Sequence, residues 1–250
     1  VSGIWAACSE RVTPVTLRGT VLRLVESQEQ VATHSLVRTL AEQALLEDLI
    51  EASKPKLPGP AIGLHYLLAT PFRYPPLPWG SRFGTRFEPS LFYAARTADT
   101  VLAESAYYRF VFWSGMAVPP SAPLDTRHTL FSAGIATSRG LQLQQAPFDA
   151  FGDRLRDRRF YGATQALGSA MRDAGLEAFE YRSARDPQQG LNVALFTPAA
   201  ISSPRPDILD EWLCQTRADH VTYYSRHGGG VRDFPLQSFL VDGELPLPAA

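Results

Sequence analysis

The sequence predicts an α+β fold, and three observations carry that expectation. Short runs of β-branched, aliphatic and aromatic residues, each about one strand long, are bounded by polar or glycine-containing turns. Between them lie longer segments whose apolar residues recur at helical spacing. The two kinds follow one another without an internal repeat, and the 20 prolines are scattered as loop punctuation. A chain of 250 residues, 45% hydrophobic and 20% charged, is long enough to bury a substantial core. The length allows one large domain or one domain carrying an insertion, and the second is favoured.

Taken in order, Thr20-Val21-Leu22-Arg23-Leu24-Val25 reads as a strand that ends in the polar stretch Glu26 to Gln30, which places Arg23 on a strand. From Val37 to Glu51, apolar Val37, Leu40, Ala44, Leu45 and Leu49 alternate with Glu42, Glu47, Asp48 and Glu51, an amphipathic helix stopped by Lys54-Pro55. Lys54 to Pro60 and Pro71 to Pro78 are proline-rich and read as irregular connections, so residues 26–78 look inserted. Leu91 to Ala95 reads as a buried strand. A helix capped by Asp99 or Thr100 then runs to about Trp113, with Glu104 in its first turn, where the helix dipole favours an anion. Leu130 to Ile135 and Gly140 to Leu143 are strand candidates that can form a hairpin. Phe151 to Phe160 mixes Arg154, Arg156, Arg158 and Arg159 with Asp153 and Asp157, which predicts an exposed, self-paired segment. Thr164 to Gly175 has Ala166, Leu167, Ala170, Met171 and Ala174 on one helical face, with Gly175 as the stop. Ala178 to Tyr181 and Leu191 to Phe196 are strands joined by a loop that Ser183 opens.

A net charge of −1 gives no overall attraction to nucleic acid or to a membrane, so neither is expected as a partner. No run approaches the roughly 20 apolar residues needed to span a bilayer, and Val1 to Glu10 lacks a basic region followed by an apolar core; a soluble cytoplasmic protein is expected. Cys8 and Cys214 do not suggest a zinc pair or a disulfide framework. His34, His65, His128, His220 and His227 show no ligand-type pairing, so no metal is expected. His227-Gly228-Gly229-Gly230 stands without any Gly-x-Ser-x-Gly elbow and reads as a turn. The common phosphate-binding loops of ATP and dinucleotide folds are absent from the sequence. Tyr107, Tyr108, Phe110, Phe112 and Trp113 read as core or interface residues of a helix.

Three polar residues set in apolar surroundings mark a candidate site: Arg82 in Gly80-Ser81-Arg82-Phe83-Gly84, Glu104 in Leu102-Ala103-Glu104-Ser105-Ala106, and Ser183 in Tyr181-Arg182-Ser183-Ala184-Arg185. From the residues alone, Arg82 with Glu104 reads more readily as a structural salt bridge, and Tyr93 as a core tyrosine with a satisfied hydroxyl. The ordered series Leu22-Arg23-Leu24, Gly80-Ser81-Arg82-Phe83, Leu91-Phe92-Tyr93, Leu102-Ala103-Glu104, Tyr181-Arg182-Ser183-Ala184-Arg185 and Leu191-Asn192-Val193-Ala194-Leu195-Phe196 resembles the RES-domain family, named for an arginine, a glutamate and a serine. Family members commonly carry Trp and Asn after the second arginine, where this chain has Phe83 and Gly84. Arg73, in Phe72-Arg73-Tyr74, rivals Arg23 as the family's first arginine and ranks below it.

The resemblance implies one domain, mixed and mostly antiparallel sheets with flanking helices, and a likeness to ADP-ribosyltransferases. It implies an enzyme that consumes NAD+ as substrate, as glycohydrolase, phosphorylase or protein ADP-ribosyltransferase, usually as the toxin of a bacterial toxin-antitoxin pair. Cleaving the bond between nicotinamide and ribose generates a cationic sugar, which asks for a diphosphate grip and a carboxylate. Glu104, Arg82 and Tyr93 would be the catalytic residues: Arg82 with Arg23 would hold the diphosphate, Tyr93 would pack on nicotinamide and Glu104 would stabilise the sugar cation, while Ser183, which could bond a phosphate or the ribose or orient Glu104, is assigned to substrate binding. The implied partners are a helix-rich, Xre-type antitoxin and a second copy of the chain. From a different class, a non-catalytic interaction module with the 107–113 aromatics as its face is the competing reading.

Overall fold

A computed structural model describes residues 3–27 and 37–248. The stretch Glu26 to Gln30 therefore lies partly, and His34 wholly, outside the described residues. Among the described residues, eight strands and six α-helices form the α+β fold: α1 (Ile4–Cys8), β1 (Val15–Glu26), α2 (Leu40–Ser53), α3 (Tyr66–Arg73), β2 (Phe92–Ala95), α4 (Ala98–Ser114), β3 (Leu124–Gln142), α5 (Gly152–Leu155), α6 (Gly162–Asp173), β4 (Ala178–Arg182), β5 (Leu191–Leu195), β6 (Asp207–Thr216), β7 (His220–Ser225) and β8 (Val231–Pro235). No helix among the described residues is long and apolar enough to cross a membrane.

The sheet runs β1-β2-β5-β4-β3-β6-β7-β8, and an additional β1–β3 pairing closes its first half into a ring. All pairs are antiparallel except β3 with β4. The long β3 serves both halves. One edge follows β1 from Val15↔Gly140 to Glu26↔His128, while the other takes β6 at its start and β4 at its end. The hairpin expected between Ile135 and Gly140 is therefore absent: Ala136 and Thr137 pair with Arg18 and Leu17, and this continuous ladder carries β3 straight through. The same pairing explains why β1 begins five residues before the apolar run that announced it. The His227–Gly230 stretch does form the turn between β7 and β8, closed by the Ser225 amide donating to the Gly230 carbonyl.

Three apolar clusters hold these layers together. One joins α1 and α6 to Phe83, Phe179 and Tyr181. A second lies between β1, α3 and β5. The third buries Leu102, Ala106, Tyr107 and Phe110 of α4 against Trp212, Val221, Tyr223 and Phe239. Met171 is fully buried on α6, as its spacing predicted.

The segment 26–78 divides in two. α2 starts at a capping box, Thr39 with Glu42, and its helical period is as read. Its apolar face is not buried, however: Leu40 is 89% and Leu45 60% exposed. Periodicity specified the helix without specifying a surface for it to cover. α3, by contrast, sends Leu68, Ala69 and Phe72 into the core. Pro71 lies inside α3 and not in a loop. Only two residues of helix follow it, the His65 ring caps the start by accepting from the Leu67 amide, and core packing compensates the one missing hydrogen bond.

Candidate functional site

Arg82 is presented by a tight turn. The Ser81 amide donates to the Gly84 carbonyl at 2.8 Å, and Gly80 holds φ +72°, where a Cβ would meet Gly84 O at 2.3 Å. Phe83, standing where the family usually has Trp, is fully buried against Phe179 and Tyr181 at 4.7 and 4.8 Å between ring centroids. α6 presses on this turn so closely that a Cβ on Gly168 would lie 1.8 Å from Phe83 O. Sequence and packing thus clamp the backbone on both sides of Arg82. Its guanidinium donates to the carbonyls of Asp157 at 2.6 Å and Leu155 at 3.4 Å and lies over the Tyr161 ring at 4.6 Å.

β2 leads into α4 through Thr97, whose hydroxyl accepts from the Thr100 amide. Thr97, and neither Asp99 nor Thr100, is the cap, because Asp99 and Thr100 already lie within the first turn. Glu104 consequently falls in the second turn, where the dipole contributes little. Side-chain donors hold it instead. Oε1 accepts from Ser183 Oγ at 2.6 Å and from Asn192 Nδ2 at 2.7 Å, while Oε2 takes no hydrogen bond among the described residues. Val101, Glu104, Ser105 and Tyr108, spaced i, i+3, i+4 and i+7, all line one cleft, and the opposite face of α4 is core.

Ser183 begins the turn after β4 and is 1% exposed. Its single proton goes to Glu104, while its oxygen accepts from the amides of Arg185 at 3.1 Å and Asp186 at 2.9 Å. Asp186 in turn accepts from Thr100 Oγ1 at 2.8 Å, which ties this loop to the start of α4. Ser183 stands behind Glu104, outside the cleft lining.

Arg23 and Tyr93 complete the wall. The Arg23 guanidinium donates to the Tyr93 carbonyl, lies over the Phe92 ring at 5.1 Å, and leaves Nε without an acceptor. Burial lowers its pKa to about 10, so it remains a cation at neutral pH. The Tyr93 hydroxyl is engaged with Ser81 Oγ at 2.8 Å and the Phe83 amide at 3.1 Å, and burial pushes the phenol up to about 12. Its hydroxyl is therefore structural, as the core reading has it, while the side chain still lines the cleft.

The cleft has a volume of about 380 Å³, and Arg23, Arg82, Tyr93 and Glu104 all line it. Arg82 and Glu104 form no ion pair. Arg73 lies elsewhere, donating to Pro55 O at 2.6 Å and paired with Glu51 at 2.8 Å, so between the two rival arginines Arg23 is the one in the cleft. The arginine-rich segment is only partly self-paired. Arg156 meets Asp153 at 3.3 Å, but Arg158 and Arg159 reach Ala184, Ser238 and Val241, because the chain's last segment folds back over them. Among the helical aromatics, Tyr107 and Phe110 are buried while Tyr108 and Phe112 are exposed.

The RES domain family model matches residues 59–224, more than half of the chain, and takes in Arg82, Tyr93, Glu104 and Ser183. This chain belongs to the RES domain family. Arg23 precedes the matched residues, and the fold brings it to the same cleft as Arg82, Tyr93 and Glu104. Among solved structures, the chain is similar to the M. tuberculosis MbcT-MbcA toxin-antitoxin complex, with 10% identity, a TM-score of 0.46, and coverage of 84% of this chain and 91% of that one. No curated protein matches it in sequence.

Asn192, Tyr108, Tyr161 and Arg185 also line the cleft, and sequence reasoning gave none of them a site role. Asn192 carried a signal, being the lone amide in the apolar strand Leu191 to Phe196. Tyr108 was implied by its i+4 spacing from Glu104. Arg185 ended a stretch that carries the family resemblance but was given no role of its own, and Tyr161 carried no signal that distinguished it from a surface residue.

Proposed function

We propose that this RES domain cleaves the nicotinamide–ribose bond of NAD+. The observation that carries the reading is the half-committed carboxylate of Glu104: one oxygen is fixed by Ser183 and Asn192, and the other takes no hydrogen bond among the described residues, in a cleft also lined by Arg23, Arg82 and Tyr93. In the reaction the C1′–N1 bond breaks, its electron pair neutralises the pyridinium, and the ribose is left as an oxocarbenium-like cation. A fixed anion beside that cation stabilises the transition state more than the ground state. Arg23 and Arg82 offer planar donor arrays suited to a diphosphate, and the Tyr93 ring offers a face for nicotinamide. Ser183 acts by orienting Glu104, since its only proton is already committed there. The cleft volume falls within the range of about 300–1,000 Å³ typical of small-molecule sites.

Water, inorganic phosphate and a protein side chain can each attack the same sugar cation, giving glycohydrolase, phosphorylase or ADP-ribosyltransferase activity. The reading extends to a toxin whose cleft is occluded by a helix-rich antitoxin, as membership of the family supports. Purified protein incubated with NAD+, with and without phosphate, tests it. Free nicotinamide should appear together with ADP-ribose, phosphorylated ADP-ribose or labelled protein, and the co-product names the acceptor. An unchanged NAD+ pool favours the interaction module, for which exposed Tyr108 and Phe112 are the specific support.

A further inference from the structure

Three arginines gather around Tyr161. Arg82 lies over its ring, and Arg185 Nη2 donates to its hydroxyl at 3.0 Å and to the Arg158 carbonyl at 2.9 Å. Arg185 is the largest fully buried side chain described, 2% exposed, with its guanidinium on the Tyr107 ring at 3.6 Å. It lines the cleft, and its Nη1 has no hydrogen-bond acceptor. The other bonds of the three guanidiniums go to neutral carbonyls: Arg82 to Asp157 and Leu155, Arg158 to Ala184 and Ser238. Among the described residues none of the three is in an ion pair. Oδ1 of the nearby Asp157 accepts from the amides of Arg159 and Phe160, and Asp157 meets Arg82 through its backbone carbonyl, not its carboxylate. Buried arginines are normally matched by carboxylates, because an unmatched buried charge is costly. Burial together with the charges of Arg185 and Arg82 lowers the Arg158 pKa, in keeping with an uncompensated cluster.

We propose that Arg82 and Arg185, set on the face and at the hydroxyl of Tyr161 and backed by Arg158, form a subsite for a phosphoryl oxyanion at that end of the cleft. Arg185 is the new binding residue, supplying a preformed, unspent donor whose fork geometry suits phosphate oxygens. The anion is either the diphosphate of the dinucleotide or free inorganic phosphate. The inference rests on the NAD+ reading only for naming the dinucleotide.

Calorimetric titration of the full chain with inorganic pyrophosphate, inorganic phosphate and ADP-ribose tests the subsite. Wild type should bind one equivalent of at least one of these, and Arg185→Met should weaken that binding about 30-fold or more, with Arg185→Lys intermediate. Should Arg185→Met fail to fold, Arg185→Lys and Arg82→Met carry the comparison. Phosphate that still binds under saturating ADP-ribose identifies the free anion; phosphate excluded by ADP-ribose identifies the substrate's diphosphate. Equal binding by wild type and the folded variants, or no binding of any of the three anions by wild type, overturns the subsite. If that occurs while wild type consumes NAD+, the functional reading survives alone; loss of pyrophosphate binding in Arg185→Met with no NAD+ consumption by wild type keeps the subsite and sinks the functional reading.

Discussion

Two glutamates meet the β4–β5 hairpin, Glu180 as part of β4 and Glu104 through Asn192 of β5, and they are satisfied in different ways. Glu180 is buried with both oxygens committed: Oε1 to the Arg96 guanidinium at 2.5 and 2.8 Å, and Oε2 to Gln142 at 3.0 Å and Gln144 at 3.3 Å. Burial alone would raise its pKa, but the hydrogen bonds from Gln142 and Arg96 and the Arg96 charge outweigh this and hold it below the usual carboxylate range. Glu104 has no cationic partner, and only one of its oxygens is engaged. A carboxylate matched by a guanidinium ties strands together. A carboxylate fixed by neutral donors, with an oxygen left over in a cleft, is positioned for something that arrives from outside.

The largest effect should come from Glu104→Gln, which keeps shape and removes charge. NAD+ consumption should fall about 1,000-fold with the thermal midpoint little changed. Retained turnover would erase the contrast between the two carboxylates. Glu180→Ala should do the reverse, costing about 3 kcal/mol in denaturant unfolding because Arg96 loses its partner, while the folded fraction keeps its turnover. Because the Glu180 pKa is depressed on folding, its stabilisation is present above the unfolded carboxylate range and is lost as pH falls through the lower folded value.

How far this division could be read in advance varies along the chain. The strands of the β4–β5 hairpin, the helix α6 and the opening of the loop at Ser183 were legible because local propensity and burial agreed there. So was the arginine–tyrosine–glutamate–serine series, through its ordered resemblance to one family. The uninterrupted course of β3 was not, because it depends on the distant β1. Nor were the Thr97 cap and the second-turn position of Glu104, since Asp99 and Thr100 are equally good capping residues by composition. Asn192, Tyr161 and Arg185 reach the cleft only through tertiary packing, and nothing in local spacing states that they meet.

His128 sharpens the comparison from the cationic side. Burial, aided by the charge of Arg109, lowers its pKa to about 4, well under the ordinary histidine value of about 6.5. The unfolded chain therefore binds the proton first, and stability should decline as pH falls from about 6.5 toward 4, by at most about 2 kcal/mol at pH 5. His128→Phe should flatten that part of a melting-temperature profile. The smallest effect expected is that of Ser183→Ala, about 10-fold in kcat with KM nearly unchanged, since Ser183 holds Glu104 and stands outside the cleft lining. A matched rise in KM would instead assign Ser183 to substrate binding.

The proposed function requires the cleft lined by Arg23, Arg82, Tyr93 and Glu104 to take a dinucleotide. Calorimetric titration of NAD+ into Glu104→Gln, in which turnover no longer consumes the ligand, measures that directly. Saturable binding of one NAD+ per chain, weakened by adding Arg82→Met, is the expected result. A correctly folded Glu104→Gln protein that shows no NAD+ binding, or binding indifferent to Arg82, would contradict it.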